Sequence, residues 1–335
     1  SRTLARRDDL PRHFRRLRRL GRASLAAALL LPAPALAQGG IGSSGAAVLQ
    51  LPAGSRAYAL SGAYVAASGD ADALFYNPAG AAGLGAAASL AYHRHVMDID
   101  FGSAAGALEA GPFVIGLAVT YLNGGDIEIV EPDPNFGGQR GRETGEFTSA
   151  RESAARLALA APLGRLSVGA AAGVVTSSLA GVTRSAPLVD LGAQFELPIV
   201  TIGASLRNLG PALSGDGGAD VPLPTEARVG ARFERDLVNG LGFTVGADLA
   251  SDLEAGTTWL AAGIEAGLLP GGDRMLGAVA RISMDGDARG EEELGALRLG
   301  AGFTFDRLAF DYTYQEFDYF GAIHRIGFRW ARPPR

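Results

Sequence analysis

The chain contains no cysteine and no lysine, and only 7% of its residues are aromatic. Without cysteine, it can hold neither a disulfide framework nor a thiolate metal site. No segment reaches the roughly 18 consecutive apolar residues that a transmembrane helix needs. If the chain enters a membrane, it must therefore cross with β-strands, which need only about 10 residues each.

The charge balance argues against one large class of function. The formal net charge is −5, and it falls to −12 when residues 1–37 are left out, because that segment carries nine arginines and two aspartates. Nucleic-acid binding depends on basic patches that neutralise phosphates. We therefore expect no nucleic-acid partner.

The first 37 residues have the composition of a secretory signal peptide. Basic residues are followed by a short apolar stretch, residues 23–31, and by the small-residue sequence ALA at positions 35–37. This order predicts cleavage before Gln38 and export from the cytoplasm.

From Ala87 onward, apolar residues alternate with small or polar ones in segments of about ten residues, each followed by a turn signal. In one of these segments, Leu308 and Phe310 share one face while Asp311 and Thr313 share the other. This period of two is typical of β-strands. About fourteen such segments follow one another. Each is close to the roughly 9 to 11 residues with which a tilted strand crosses a bilayer.

Alternation alone does not separate a soluble β-sandwich from a membrane barrel, but three further features favour the barrel. Long polar connections, such as residues 123–150 and 208–224, alternate with short ones, and glycines lie on the non-apolar face. Aromatic residues such as Trp259 and Phe317 gather near segment ends, as in interfacial girdles. We predict an all-β fold: a transmembrane antiparallel β-barrel of about fourteen strands over residues 87–332, with both ends on the short-turn, periplasmic side.

The stretch DADALFYNPAG, residues 70–80, reads as one short helix within an N-terminal plug over residues 38–86. Asp70 or Asp72 can cap its first turn, and Pro78 ends it because proline cannot donate the next backbone hydrogen bond. Such a plug would either gate the barrel or serve only as a folding nucleus. The plug residues selected on this basis are Asp70, Asp72, Leu74, Phe75, Asn77, Pro78, Ala79 and Gly80.

Residues 51–85 carry RAYALSGAYVA, then DADAL, then NPAG, and this order resembles the N-terminal signature of the FadL-like outer-membrane proteins. It is more similar still to the PorV/PorQ branch, which is associated with type IX secretion. Residues 208–233, in which Asn-Leu-Gly leads into a strand that starts with Leu-Pro, resemble the same branch. The resemblance implies a fourteen-stranded outer-membrane barrel whose lumen is occluded by a hatch that carries the Asn-Pro-Ala element.

Many charged residues share the non-apolar face of the strands. A charged side chain that points at the bilayer midplane costs several kcal/mol, so these residues must face the lumen. There we expect ion pairs across the lumen or to the plug; a ladder of substrate contacts is the alternative reading. The predicted lumen-facing residues are Asp190, Glu196, Arg228, Arg232, Asp248, Glu265, Arg281, Arg298, Asp311, Arg325 and Arg329.

No catalytic constellation is present in the sequence, and we expect no enzyme activity and no cofactor. His93 and His95 share a strand face, but no third metal ligand is evident. Residues 285–293 look like a calcium loop, yet Arg289 stands where an oxygen ligand belongs. An acidic outer loop, bridged to lipopolysaccharide by divalent ions, is the preferred interpretation of that segment.

Three functions fit these features. The first is a PorV/PorQ-type component of a type IX-like secretion system, which would contact outer-membrane lipid, a translocon and secreted cargo. The second is a FadL-like transporter of hydrophobic small molecules, and the third is a structural or adhesion barrel without a conduit. The longest predicted loop, residues 123–150, is polar and acidic rather than apolar, which favours the first function over the second.

Overall fold

The computed structural model describes residues 44–94, 99–137, 139–215, 220–269, 275–287, 297–317 and 321–332. The predicted signal peptide, the first six residues of the predicted plug segment, and His95 lie outside these ranges.

Strands dominate the described chain. Their bounds are β1 (Ala86–Arg94), β2 (Asp100–Ala110), β3 (Phe113–Pro132), β4 (Gly141–Leu163), β5 (Leu166–Leu179), β6 (Val182–Glu196), β7 (Val200–Leu209), β8 (Ser214–Gly215), β9 (Glu226–Asp236), β10 (Leu241–Asp252), β11 (Thr257–Leu268), β12 (Leu276–Asp287), β13 (Leu297–Phe305), β14 (Leu308–Phe317) and β15 (Gly321–Arg332). All except the two-residue β8 belong to one closed wall.

The wall is a fourteen-stranded antiparallel barrel. Each strand pairs with its neighbours along the chain, β7 pairs directly with β9, and β15 returns to pair with β1. The closing ladder runs from the Ala86–Arg332 pair to the Arg94–His324 pair. Within the part of the wall that the structure describes, closure gives each strand a paired neighbour on both sides, which satisfies its backbone groups there. The predicted fold class is confirmed.

The apolar face of the wall points outward. Phe113, Phe195, Phe303 and Phe310 are each between 41% and 51% exposed, whereas Asp311 is fully buried although it follows Phe310 directly. In a soluble β-sandwich this polarity would be reversed, because the apolar side chains would form the core. An apolar exterior around a polar lumen is the arrangement of a transmembrane barrel.

The connections differ between the two rims of the barrel. At the rim here called the short-turn rim, two residues join β2 to β3, β4 to β5, and β13 to β14. At the opposite rim, the long-loop rim, 16 residues separate β7 from β9. The β5–β6 turn at residues 180–181 is an exception, because it is short and lies at the long-loop rim.

The predicted loop over residues 123–150 is instead mostly strand. β3 and β4 continue past the wall and remain paired as far as Pro132 and Gly141, although β2 pairs with β3 only up to Asn123 and β5 pairs with β4 only from Ala150. Residues 124–132 and 141–149 therefore form a two-stranded ribbon that extends about 30 Å beyond the barrel. The sequence indicated a loop because acidic residues and glycines interrupt the apolar alternation there.

The plug consists of short helical turns rather than the single helix expected. Two one-turn α-helices, α1 (Ala47–Gln50) and α2 (Ser55–Tyr58), are followed by two 3-10 helices, Ala71–Phe75 and Pro78–Ala81. Pro78 ends the first 3-10 segment and also occupies the first position of the second, where its missing N–H is not needed. None of the helices in the described part of the chain is long and apolar enough to cross a bilayer.

The predicted helix cap is also wrong. Asp70 occupies the N-cap position of Ala71–Phe75, but its side chain makes no capping hydrogen bond. Its carboxylate instead accepts hydrogen bonds from arginine and tyrosine side chains, which are stronger partners for a buried charge. The capping residue present is Asn77, whose side chain accepts the Ala79 N–H at 3.0 Å.

The plug starts at the long-loop rim, not at the short-turn rim where the alternation of turn lengths placed it. The Gly45 N–H donates to the Pro222 carbonyl at 3.0 Å, and the Val48 N–H donates to the Glu152 carboxylate at 2.8 Å. The chain then passes through the lumen and enters β1 at the short-turn rim. Strand parity alone could not reveal this. It determines the rim at which β1 begins, but not the route that the preceding plug takes to reach that rim.

Glycines in the wall allow the plug backbone to approach it closely. A β-carbon on Gly192 would overlap the side-chain oxygen of Asn77, and one on Gly203 would overlap the carbonyl oxygen of Val65. Glycine has no β-carbon, and at both positions a β-carbon would collide with the plug. These contacts therefore require glycine. An added β-carbon would likewise lie within 3.0 Å of a plug atom at Gly116, Gly169, Gly263, Gly300 and Gly327.

We predict that Gly192→Ala weakens plug docking by about 1–3 kcal/mol, because the added methyl group must displace Asn77. The matched control is Gly106→Ala, whose β-carbon would meet its nearest atom at an ordinary 3.8 Å. The measurement is the rate of limited proteolysis within the plug, together with heat-modifiable gel migration of the barrel. Equal proteolysis of the two variants would contradict the close-contact assignment.

Candidate functional site

One bend of the plug is hydrogen-bonded by the plug side chain of Asn77 and by side chains of the wall strands β6 and β10. The Asn77 side-chain amide donates to the carbonyls of Val65 at 2.7 Å and Ala193 at 3.1 Å, joining the plug to β6. Three strands further round the wall, the Asp248 carboxylate of β10 accepts the backbone N–H groups of Tyr64 and Val65 at 2.8 and 2.9 Å. The backbone of this bend is therefore hydrogen-bonded by the barrel rather than by its own helix.

A closed ring of six charged side chains, here called the ion-pair ring, forms a second attachment. Its members, in order around the ring, are Arg56, Glu265, Arg281, Asp311, Arg329 and Asp70. Arg56 and Asp70 belong to the plug, and the other four come from β11, β12, β14 and β15. Three positive and three negative charges alternate, so each charge has two neighbours of opposite sign.

The distances around the ion-pair ring are those of direct contacts. Arg56 lies 2.6 Å from Glu265 and 3.0 Å from Asp70. Arg281 lies 2.5 Å from Glu265 and 2.8 Å from Asp311. Arg329 closes the ring at 2.6 Å from Asp311 and 3.1 Å from Asp70. Charges buried in this way need near-complete pairing to offset their lost hydration.

A second charged cluster lies on the neighbouring wall strands β7, β9 and β10. Glu226 accepts from Arg207 at 2.8 Å and from Arg228 at 2.9 Å, and Arg228 also lies 3.5 Å from Asp248. Both arginines reach the plug, since Arg207 donates to the Phe75 carbonyl and Arg228 to the Gly62 carbonyl. This cluster combines wall ion pairs with direct plug contacts.

The other predicted lumen residues occupy separate places. Asp190 is buried and pairs with Arg156 at 2.8 Å, and Arg298 pairs with Asp285 at 2.9 Å. Arg232 is buried near the short-turn rim and lies 3.2 Å from Glu234. Glu196 is exposed at the end of β6, where the strand reaches the short-turn rim, so it shares the lumen parity without being enclosed.

The two acidic residues of the plug have opposite electrostatic environments. Burial alone would raise the pKa of Asp70, but the charges of Arg329 and Arg56 and the Tyr64 hydrogen bond outweigh it, and the pKa lies below its ordinary value. For Asp72, burial and then the charge of Asp70 raise the pKa to about 7, although Arg329 opposes the shift. Asp70 is therefore ionised at neutral pH, whereas Asp72 is poised between its two forms.

A cavity of about 480 Å³ lies between the plug and the wall on the long-loop side. Apolar and aromatic side chains from the plug and the strand ends form part of its lining, and arginines form another part. The lining includes Leu49, Leu51, Tyr58, Phe75, Tyr76, His93, Arg156, Arg207, Glu226, Arg228, Trp259, Asp285, Arg298, Phe317 and Arg325. This mixture can hold a molecule that has both an apolar body and a polar group.

Several lining residues were assigned elsewhere or not selected from the sequence. Trp259 and Phe317 were expected in an outer aromatic girdle, but both line the cavity because their neighbours Leu260 and Glu316 take the outward positions. Arg156 has the same strand parity as the inward-facing Ala154 and Ala158, so the sequence alone could have identified it as a lumen residue. Tyr58 lies in the plug, where no strand parity applies.

The predicted histidine pair does not form a described site. His93 is buried and lies 2.8 Å from an Arg325 nitrogen through its Nδ1, and its ring also lies near those of Tyr58 and Phe101. Its predicted partner at position 95 is outside the described residues. Among the described residues, no group of three or more histidine or acidic side chains has the arrangement of a metal site.

No protein-family model matches this chain, and no curated protein matches it. Solved structures do. The chain is similar to the Ralstonia pickettii toluene transporter TbuX (14% identity, TM-score 0.56, covering 85% of this chain and 100% of that one). It is also similar to the CymD monoaromatic hydrocarbon channel (11% identity, TM-score 0.54, covering 84% of this chain and 98% of that one). A third similar structure is the P. putida toluene transporter TodX (12% identity, TM-score 0.52, covering 83% of this chain and 99% of that one).

The chain has the fold of these channels. The likeness agrees with the barrel fold that the hatch motif implied, and the apolar exterior is that of a transmembrane barrel. It does not support the PorV/PorQ branch. The interpretation as a type IX-like secretion component is wrong, because the solved structures that share this fold over nearly their full length are hydrocarbon channels.

We predict that Glu265→Gln destabilises plug docking by about 3–5 kcal/mol, because it leaves the buried Arg56 and Arg281 with one carboxylate each. The control is Glu234→Gln, since Glu234 also contacts an arginine but its side chain is 59% exposed. That change should alter stability by no more than roughly 0.5 kcal/mol. Urea midpoints in detergent and plug proteolysis measure both effects; indistinguishable midpoints would show that the ring does not hold the plug.

We predict that Asp72 makes the barrel less stable as pH rises from about 4 to about 7. In this window the unfolded chain has released the Asp72 proton while the folded chain still holds it, because the folded pKa is about 7. Above pH 7 the difference is constant, and Asp72→Asn should then be more stable than the wild type by roughly 1–4 kcal/mol. Urea midpoints measured from pH 4 to 8 test this, and parallel profiles for the two proteins would refute it.

Proposed function

We propose that the protein is an outer-membrane channel through which small molecules with an apolar part enter from the long-loop side and pass the plug. The cavity between the plug and the long-loop rim carries this proposal, because it places aromatic and aliphatic side chains at the mouth of an otherwise filled lumen. The shared fold with toluene and monoaromatic hydrocarbon channels supports a function in transport rather than catalysis.

The plug is the proposed gate. It fills the lumen below the cavity, and its bend at residues 64–67 is bonded to β6 and β10, so a transported molecule cannot pass while every contact is kept. The 3-10 turns around Asn77 make few hydrogen bonds of their own. Their position therefore depends on the wall contacts, which can exchange without unfolding a helix.

Surrounding lipid is the remaining partner. The outward apolar band contacts membrane hydrocarbon. The acidic ribbon lies beyond it at the long-loop rim, where we propose that it reaches the lipopolysaccharide layer.

A disulfide between the plug and the wall tests the gate directly. Ser61 in the plug donates to Ser283 in β12 at an Oγ–Oγ distance of 2.9 Å, and the chain has no native cysteine. The double variant Ser61→Cys, Ser283→Cys should form one disulfide under mild oxidation. We predict that oxidation lowers naphthalene flux into proteoliposomes at least about tenfold and that reduction restores it.

The single variants Ser61→Cys and Ser283→Cys, treated with the same oxidant, are the controls for lost hydrogen bonds. Unchanged flux in the crosslinked protein would show that plug movement is not required. If no form of the protein, including the wild type, gives a naphthalene flux above that of protein-free liposomes, the proposed function itself is overturned.

A further inference from the structure

The arginines that line the cavity are not equivalent. Arg156, Arg207, Arg228 and Arg298 each lie within 3.0 Å of a carboxylate oxygen. Arg325 lines the same cavity but has no carboxylate partner among the described residues. The carboxylate of Asp72 is likewise buried without a salt bridge among the described residues, whereas most other lumen charges are paired with opposite ones.

The groups that contact Arg325 directly are plug carbonyls and the His93 ring, and the carboxylate of Asp72 acts on it from beyond ion-pair distance. One terminal nitrogen donates to the plug carbonyls of Pro52 and Gly54, the second at 3.2 Å, and the other terminal nitrogen lies 2.8 Å from Nδ1 of His93. The Nε–H has no hydrogen-bond acceptor in the described part of the chain. The residue as a whole is only 1% exposed, so the rest of the protein encloses it almost completely.

A buried guanidinium without a counter-charge is costly, and it becomes favourable when an anion pairs with it. The planar fork of arginine fits a carboxylate especially well, because two nitrogens can donate to two oxygens. Arg325 therefore has an unused donor, and no described carboxylate at ion-pair distance, at the wall of a cavity of about 480 Å³.

Aromatic rings lie beside this charge. The Tyr58 ring is held between two guanidinium groups, with the Arg325 carbon 3.9 Å and the Arg298 carbon 4.8 Å from its centre. The cavity is also lined by the rings of Trp259 and Phe317. Flat aromatic surfaces and guanidinium planes both favour stacking with a planar ring.

We propose that the cavity binds aromatic carboxylates, with the carboxylate at Arg325 and the ring against the aromatic lining. This inference rests on the proposed channel function and narrows its substrate class, because it places an anionic group on the transported molecule. The charge selects the anion over the neutral hydrocarbon of the same shape, and the rings select a planar body over an aliphatic chain.

Binding to the full chain in lipid nanodiscs tests the proposal. The chain has two tryptophans, so in a Trp330→Phe background the fluorescence reports Trp259 at the cavity. The probes at pH 7.5 are naphthalene-2-carboxylate, naphthalene and octanoate, with protein-free nanodiscs to correct for partitioning. We expect the aromatic carboxylate to bind at least about tenfold more tightly than each of the other two.

Arg325→Gln should weaken naphthalene-2-carboxylate binding by about 10- to 100-fold and leave naphthalene binding unchanged, because a charge-assisted pair is lost. Arg232→Gln is the matched control: Arg232 is another buried lumen arginine, it lies outside the cavity lining, and its loss should change neither affinity. If Arg325→Gln does not give a heat-modifiable barrel, the wild-type comparison of the three probes decides the question.

The outcomes separate this inference from the function on which it rests. Equal affinities for naphthalene and its carboxylate, or an Arg325→Gln variant with unchanged carboxylate affinity, would overturn the anion site while naphthalene flux still supports the channel. Equal binding of octanoate would overturn the aromatic selectivity. If no probe binds and naphthalene shows no protein-dependent flux, the channel function fails as well.

Discussion

The alternating ring of Arg56, Glu265, Arg281, Asp311, Arg329 and Asp70 is the constraint on which the rest of the structure depends. A barrel that faces lipid on the outside must place its charged residues inside, and a filled lumen offers them little water. Mutual pairing stabilises most of them. Two of the six ring members belong to the plug. The charged side chains of the wall are therefore fully paired only when the plug is in place.

The packing of the lumen follows from the same demand. For the plug charges to reach the wall carboxylates and guanidiniums, the plug backbone must lie close against the strands, and the inward glycines provide that space. The interior therefore joins two kinds of contact that are rarely combined: close backbone packing and dense ion pairing. Close backbone packing would not be stable alone, because glycine buries no side chain. The ion pairs would not be stable alone either, because a gap beside a buried pair removes polar groups that help to stabilise its charges.

Strand parity predicted much of this fold. The alternation around Phe310 and Asp311 was enough to assign the inward and outward faces, and the cost of a charge in lipid then placed the arginines in the lumen. Parity could not say which charges would meet, because partners in a ring come from strands and a plug that are far apart in sequence. It also misjudged residues 123–150, where acidic side chains lie on a ribbon without a buried face. The secretion interpretation was wrong for a related reason. It relied on a short hatch motif, which indicates the fold, whereas the cavity is formed by Tyr58, Trp259 and other residues scattered along the chain.

The ribbon formed by residues 124–132 and 141–149 has one further consequence. Its backbone hydrogen bonds join only its own two strands, because the ladders with β2 and β5 stop at Asn123 and Ala150 and only the β3–β4 ladder continues into it. Residue pairs can thus be removed from its tip, or a foreign epitope inserted between them, without changing the register of the barrel. The ribbon is a natural point of attachment for surface display, set apart from the machinery in the lumen.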